Sequence, residues 1–160
     1  MRPTSLRTMI LGYTAMIATF LSTRGLRAEK IDMTAEELRD TATHVIVGKV
    51  TGIYERKEDA GDWKYTKYVA EVQIEKSEKG EGLRAGEIAY VRYWRRQYAG
   101  KEKFPPPSTN GHRGLPAAGQ KLRIYLARNA YDGFSQDNRD GGLNVIGANG
   151  FEALPPEAKK

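Results

Sequence analysis

Two histidines, His44 and His112, and no cysteine limit the side-chain chemistry open to this 160-residue chain. Without cysteine there is no thiolate nucleophile, no four-cysteine zinc site and no disulfide. His112 lies in "STNGHRG", four residues after Ser108, where an imidazole can serve as base toward a hydroxyl. No acid is indicated to orient that ring, so a solvated loop histidine is expected. His44 opens an apolar stretch and is expected to be a satisfied structural histidine. Two histidines so far apart in sequence do not predict a metal site. "QDNRDGG" has the flavour of a calcium loop, but the alignment puts Gln136 and Gly147 where the first and last carboxylate ligands belong. A hairpin turn is expected there. No catalytic residue, metal or cofactor is assigned.

The sharpest chemical feature is "YVRYWRRQY", Tyr90 to Tyr98, where four aromatic residues interleave with Arg92, Arg95 and Arg96. Aromatic faces alternating with cations suit single strands, sugars or acidic polymers. Arg92, Trp94, Arg95, Arg96 and Tyr98 are therefore the candidate ligand-binding residues. The structural alternative pairs these arginines with Glu71 and Glu75 across strands and makes the aromatics half core, half surface cover.

The elements that must position these residues are mostly strands. Thr34-Ala35-Glu36-Glu37 fits a capping box, and Leu38 and Ala42 lie four apart, which predicts a short helix over about Ala35 to Ala42. "THVIVGKVTGIYER" follows. A strand from Thr43 to about Glu55 is expected, apolar on both faces at its start, with Gly48 and Gly52 marking a bulge or bend. "ERKEDAGDW" reads as a polar turn. The second strand, about Trp63 to Lys76, shows the cleanest alternation, with Tyr68, Ala70, Val72 and Ile74 on one face. The third covers Glu87 to Arg95. A connection from about Arg96 to Gln120, with Pro105-Pro106-Pro107, is long enough to carry function. "KLRIYLA" is the fourth strand. A turn region over "YDGFSQDNRDGG", a short strand near Leu143 to Ile146 and a proline-ended tail complete the chain.

The first 28 residues read as an address. A basic start with Arg2 and Arg7, the apolar run "MILGYTAMIATFL" and the polar tail "STRGLRA" have the layout of a secretory signal peptide. The apolar run has 13 residues, too short against the roughly 20 needed to span a bilayer. Cleavage near Ala28, export to the periplasm or beyond, and no stable membrane anchor afterwards are expected. Residues 29–160 then form one domain. The segment removes four arginines and no acid, leaving 22 of the 26 basic residues against 20 acids, a formal balance of +2 rather than +6. A nucleic-acid partner is not favoured by so small an excess.

"ATHVIVGKVTGIYE", "KYVAEVQIEKSEKGEGLRAGEIAYVRY" and "GLPAAGQKLRIYLA" together resemble the netrin-like domains related to tissue inhibitors of metalloproteinases. Many exported bacterial proteins look similar. The resemblance covers about Thr41 to Ala127 and implies an all-β, five-stranded OB-type barrel with a short N-terminal helix. It carries over no functional residue. The metalloproteinase inhibitors of that family chelate the target metal through an N-terminal cysteine, and this chain has none.

The resulting expectation is an exported, non-enzymatic OB-type module that binds a protein or an acidic or other extracellular polymer. The alternatives are a hydrolase using Ser108 and His112, and a structural envelope protein.

Overall fold

The computed structural model describes residues 32–101, 111–128 and 141–154. The proposed signal segment, Ser108 and most of the "YDGFSQDNRDGG" stretch lie outside these residues. Helix α1 spans Ala35–Thr41. Its capping box forms as expected: the Glu37 amide donates to Thr34 Oγ1 at 3.1 Å and the Thr34 amide to Glu37 Oε2 at 2.7 Å. Those hydrogen bonds hold the Glu37 carboxyl below its usual range. Ala42 is the C-cap in extended backbone, so the helix stops one residue short of the expected end.

Six strands follow: β1 (His44–Ala60), β2 (Trp63–Lys79), β3 (Ile88–Tyr98), β4 (Lys121–Arg128), β5 (Leu143–Val145) and β6 (Phe151–Ala153). The sheet order is β1-β2-β3-β5-β4-β6, and a further β1–β4 pairing closes the first five into a ring. The expected all-β, five-stranded architecture with one short N-terminal helix is thus observed. β6 was not expected. It pairs with β4 through Ile124 and Phe151, within what reads as a tail.

β1 begins between two apolar clusters, which explains its double-faced apolar start. Ile46 and Val50 point into the ring, against Val72, Ile74, Val91, Leu122 and Leu126. Val45 points outward, beneath α1, with Leu38, Ala42, Tyr125 and Ile146. The expected inward phase of β2 holds: Val72 is fully buried and Ile74 is 1% exposed.

Three boundaries differ from expectation. β1 continues to Ala60, through residues that read as a turn, and only Gly61-Asp62 turn the chain. Gly61 takes φ 59°, a left-handed conformation glycine adopts without penalty. The polar stretch remains a strand because its backbone is paired to β2 as far as Ala60 opposite Trp63. Charge pairs support it: Glu58 meets Lys67 and Arg56, each at 2.6 Å, and Lys57 meets Glu55 at 3.1 Å. β2 likewise runs to Lys79. β3 runs to Tyr98, not Arg95, because Arg96, Gln97 and Tyr98 pair with Tyr65, Lys64 and Trp63. The long connection therefore begins at Ala99.

Register shifts fall between Val47 and Gly48 and between Val50 and Gly52, where the interior glycines suggested a bulge. The two glycines do different work. A Cβ on Gly48 would stand 2.6 Å from the Gln73 carbonyl oxygen and 2.6 Å from Val72. One on Gly52 would find its nearest neighbour at 3.6 Å, an ordinary contact.

Two predictions follow from the packing. Val72→Asp buries an unpaired charge and should cost about 3 kcal/mol or more, while Gln73→Asp, on the exposed face, should cost about 0.5 kcal/mol or less. Urea denaturation of both variants checks the strand phase, and equal midpoints would refute it. Gly48→Ala should lower stability by about 2 kcal/mol through overpacking, and Gly52→Ala should stay within about 1 kcal/mol of wild type. A larger loss at Gly52 than at Gly48 would contradict the assigned close approach.

Candidate functional site

The pairing of β1, β2 and β3 assembles one continuous outer face, read row by row from the β1–β2 turn. Trp63 stands opposite Ala60 and Tyr98; Tyr65 opposite Glu58 and Arg96; Lys67 opposite Arg56 and Trp94. Further along, Val69 lies opposite Tyr54 and Arg92, and Glu71 opposite Gly52 and Tyr90. From Trp63 to Glu71 the face extends about 26 Å at the usual strand rise of about 3.3 Å per residue.

Near the turn the face is basic and aromatic. The Arg96 guanidinium lies over the Trp63 ring, 4.5 Å from its centroid, and Arg96 Nη1 donates to the Tyr65 hydroxyl at 3.3 Å. Tyr98 meets Trp63 edge to face at 5.2 Å between centroids. These contacts place the guanidinium over a ring and against a phenol hydroxyl, where the negative ring face attracts the cation. Lys67 is buried along its stem and its amine meets Glu58 at 2.6 Å. That hydrogen bond is the main cause of the lowered Glu58 carboxyl pKa.

The five residues expected at a ligand surface divide. Arg96 and Tyr98 sit half-buried on the outer face, and Arg92 lies further along it, half-buried between β2 and β5. Arg95 is exposed but alternates to the opposite side of the sheet, opposite Thr66. Trp94 is the correction: its side chain is 2% exposed and cannot serve as a free stacking platform. Gly111 bridges to Arg95 and packs its backbone against Trp94, and Tyr65 and His112 flank the indole at 6.1 and 6.2 Å. The expected cross-strand pairing of the arginines with Glu71 and Glu75 is also corrected. Glu75 meets Lys121 at 2.6 Å, and Glu71 takes hydroxyl donors.

His112 is not a solvated loop histidine. It is 2% exposed, with Nε2 3.0 Å from the Val145 carbonyl oxygen and the Trp94 amide donating to Nδ1 at 3.2 Å. Nδ1 also lies 3.1 Å from the Trp94 carbonyl oxygen, and the His112 amide donates to that carbonyl at 2.9 Å. The imidazole thus laces β3 to β5 beside Tyr93 and Phe151. A base must reach the proton it removes, and this ring is enclosed. His44 is structural as expected, buried with Nε2 3.0 Å from the Glu81 carbonyl oxygen. Among the described residues, no group of three His, Asp or Glu side chains converges as a metal site requires, and no helix is long and apolar enough to cross a membrane.

Reading one strand at a time missed the other half of this face. Trp63, Tyr65 and Lys67 alternate on β2, and Tyr54 lies on β1. The signal available was alternation across "WKYTK", paired in register with "WRRQY".

Comparison with protein-family models, curated proteins and solved structures returned no match.

His112→Ala should leave the Val145 carbonyl without its buried donor and open a gap beside Tyr93. A loss of about 2 kcal/mol or more is expected, measured by urea denaturation. An unchanged midpoint would mean the ring does not bind these strands together.

Proposed function

We propose that this chain is an exported, non-enzymatic OB-type binding module that takes an extended extracellular polymer along the outer face of β1, β2 and β3. The observation that carries the reading is the Trp63–Tyr65–Arg96–Tyr98 cluster, where a guanidinium lies over an aromatic ring at the end of a long sheet face. Arg56 and Lys67 add positive charge in the next row. Such a surface suits an acidic or planar polymer, because cations capture the charge while ring faces receive the flat groups. The netrin-like resemblance and the expected signal segment support export and a binding role. They name no ligand. The hydrolase reading loses ground because the His112 ring is buried and already used by backbone groups.

The face itself provides the test. Arg96→Ala should weaken binding to a soluble polyuronate such as polygalacturonate and flatten its salt dependence, since fewer counterions are released. Arg95→Ala, on the other side of the sheet, should change affinity by less than about twofold, a difference of about 0.4 kcal/mol. Affinity measured at two salt concentrations for wild type and both variants decides. Equal losses for Arg95 and Arg96, or no binding to any acidic polymer, would overturn the assignment of this face.

A further inference from the structure

At the far end of the same face, two tyrosines flank one carboxylate. Tyr54 on β1 and Tyr90 on β3 are each 57% exposed. Both hydroxyls face Glu71 Oε2, at 3.5 and 3.4 Å. These are long contacts, easily exchanged for a better donor. Thr51 donates to Glu71 Oε1 at 2.6 Å and fixes the carboxylate in place. The Tyr54 ring lies beside Gly52, close enough that a Cβ there would touch it at ordinary van der Waals distance. The Glu71 charge raises the Tyr90 hydroxyl above its usual range.

We propose that Tyr54, Glu71 and Tyr90 form a binding site for a neutral hexose polymer, in which sugar rings lie on the tyrosine faces and a sugar hydroxyl donates to Glu71. Sugar rings present an apolar C–H face for an aromatic surface and hydroxyls at their rim, and the site offers a partner for each. Charge decides against the other ligand classes. Glu71 repels phosphates and carboxylates at this end. Lys49 and Arg92, on the adjoining rows of the same face, oppose a free cation. A neutral, hydroxyl-bearing ring meets neither penalty.

The inference deepens the polymer-binding reading by naming a ligand class for a second part of the face, and its test leaves the basic end intact. The full chain is titrated calorimetrically with cellohexaose, maltohexaose and chitohexaose, with tetramethylammonium as a cationic control. At least one hexasaccharide should bind. Tyr54→Ala and Tyr90→Ala should each weaken it about fivefold, the scale of one aromatic contact. Glu71→Gln should weaken it also, while Tyr54→Phe, which keeps the ring, should restore most of the affinity. Because both tyrosines are exposed, the unfolding midpoints of these variants should match wild type, which separates lost binding from lost folding. Binding to none of the three sugars, binding insensitive to the tyrosines, or a response to tetramethylammonium alone would each overturn the proposal. A polygalacturonate response lost in Arg96→Ala but kept in Tyr54→Ala would then leave the acidic-polymer reading standing by itself.

Discussion

The structure depends on one close approach, that of Gly48 to the Gln73 backbone. β1 must serve two neighbours over His44 to Lys49, with β2 on one edge and β4 on the other. Only that double pairing turns an open sheet into a ring. The register to β2 shifts twice within this stretch and once just beyond it, between Val50 and Gly52, and the missing side chain at Gly48 lets the two backbones approach at one of these irregularities. Once the ring closes, Ile46, Val72, Val91, Ile124 and Val145 share one interior. Each such side chain contributes roughly 1.5–3 kcal/mol when removed from water, so the closure and the core stabilise each other.

The same bend frees the rest of β1. Past Val50, β4 has ended, and β1 continues paired with β2, which β3 pairs on its other edge as far as the turn. Much of the outer side of this three-stranded part, including Tyr54 and Tyr90, is exposed. Polar residues alone would keep such a part soluble, and Glu55 to Asp59 provide alternating charges along its edge that discourage pairing with another chain. Yet the face carries Trp63, Tyr65, Tyr98, Tyr54 and Tyr90. Large aromatics on a surface that has no core to fill are the strongest physical reason to read it as a contact surface.

How much of this was legible in the sequence depended on the range of the interaction. The capping box is local, within four residues, and it formed as read. The phase of β2 is set by strict alternation, and Val72 and Ile74 lie inside. Gly48 and Gly52 marked the shifts, although their different surroundings could not be read from the chain. What failed was long-range. "ERKED" looks like a turn because its composition is polar, but ladder hydrogen bonds and the Glu58–Lys67 pair keep it extended. Trp94 looks like a platform because nothing local reveals that Gly111 will cover it. His112 sits in a loop-like sequence, and its burial is decided by Val145, 33 residues away. The functional reading rests on the face alone.

The two ends of that face carry opposite charge, and this follows from where the sheet has room. Near the turn, cross-strand rows place Arg56, Lys67 and Arg96 on neighbouring strands, with Glu58 as the acid among them. The Arg96 guanidinium lies over the Trp63 ring, a role a lysine does not match, because only a guanidinium combines a planar face with a fixed fork of donors. Nearer the ring, the bulge after Val50 brings Thr51 within reach of Glu71 and leaves Gly52 bare beside Tyr54. Three hydroxyls, from Thr51, Tyr54 and Tyr90, donate to that carboxylate. A ligand that follows the whole face must therefore present an acidic or planar group at one end and hydroxyl donors at the other. A uniformly charged chain meets only half of that requirement. Under the proposed reading, a polysaccharide carrying both charged and neutral units meets all of it, because ring faces, hydroxyls and carboxylates recur along one backbone.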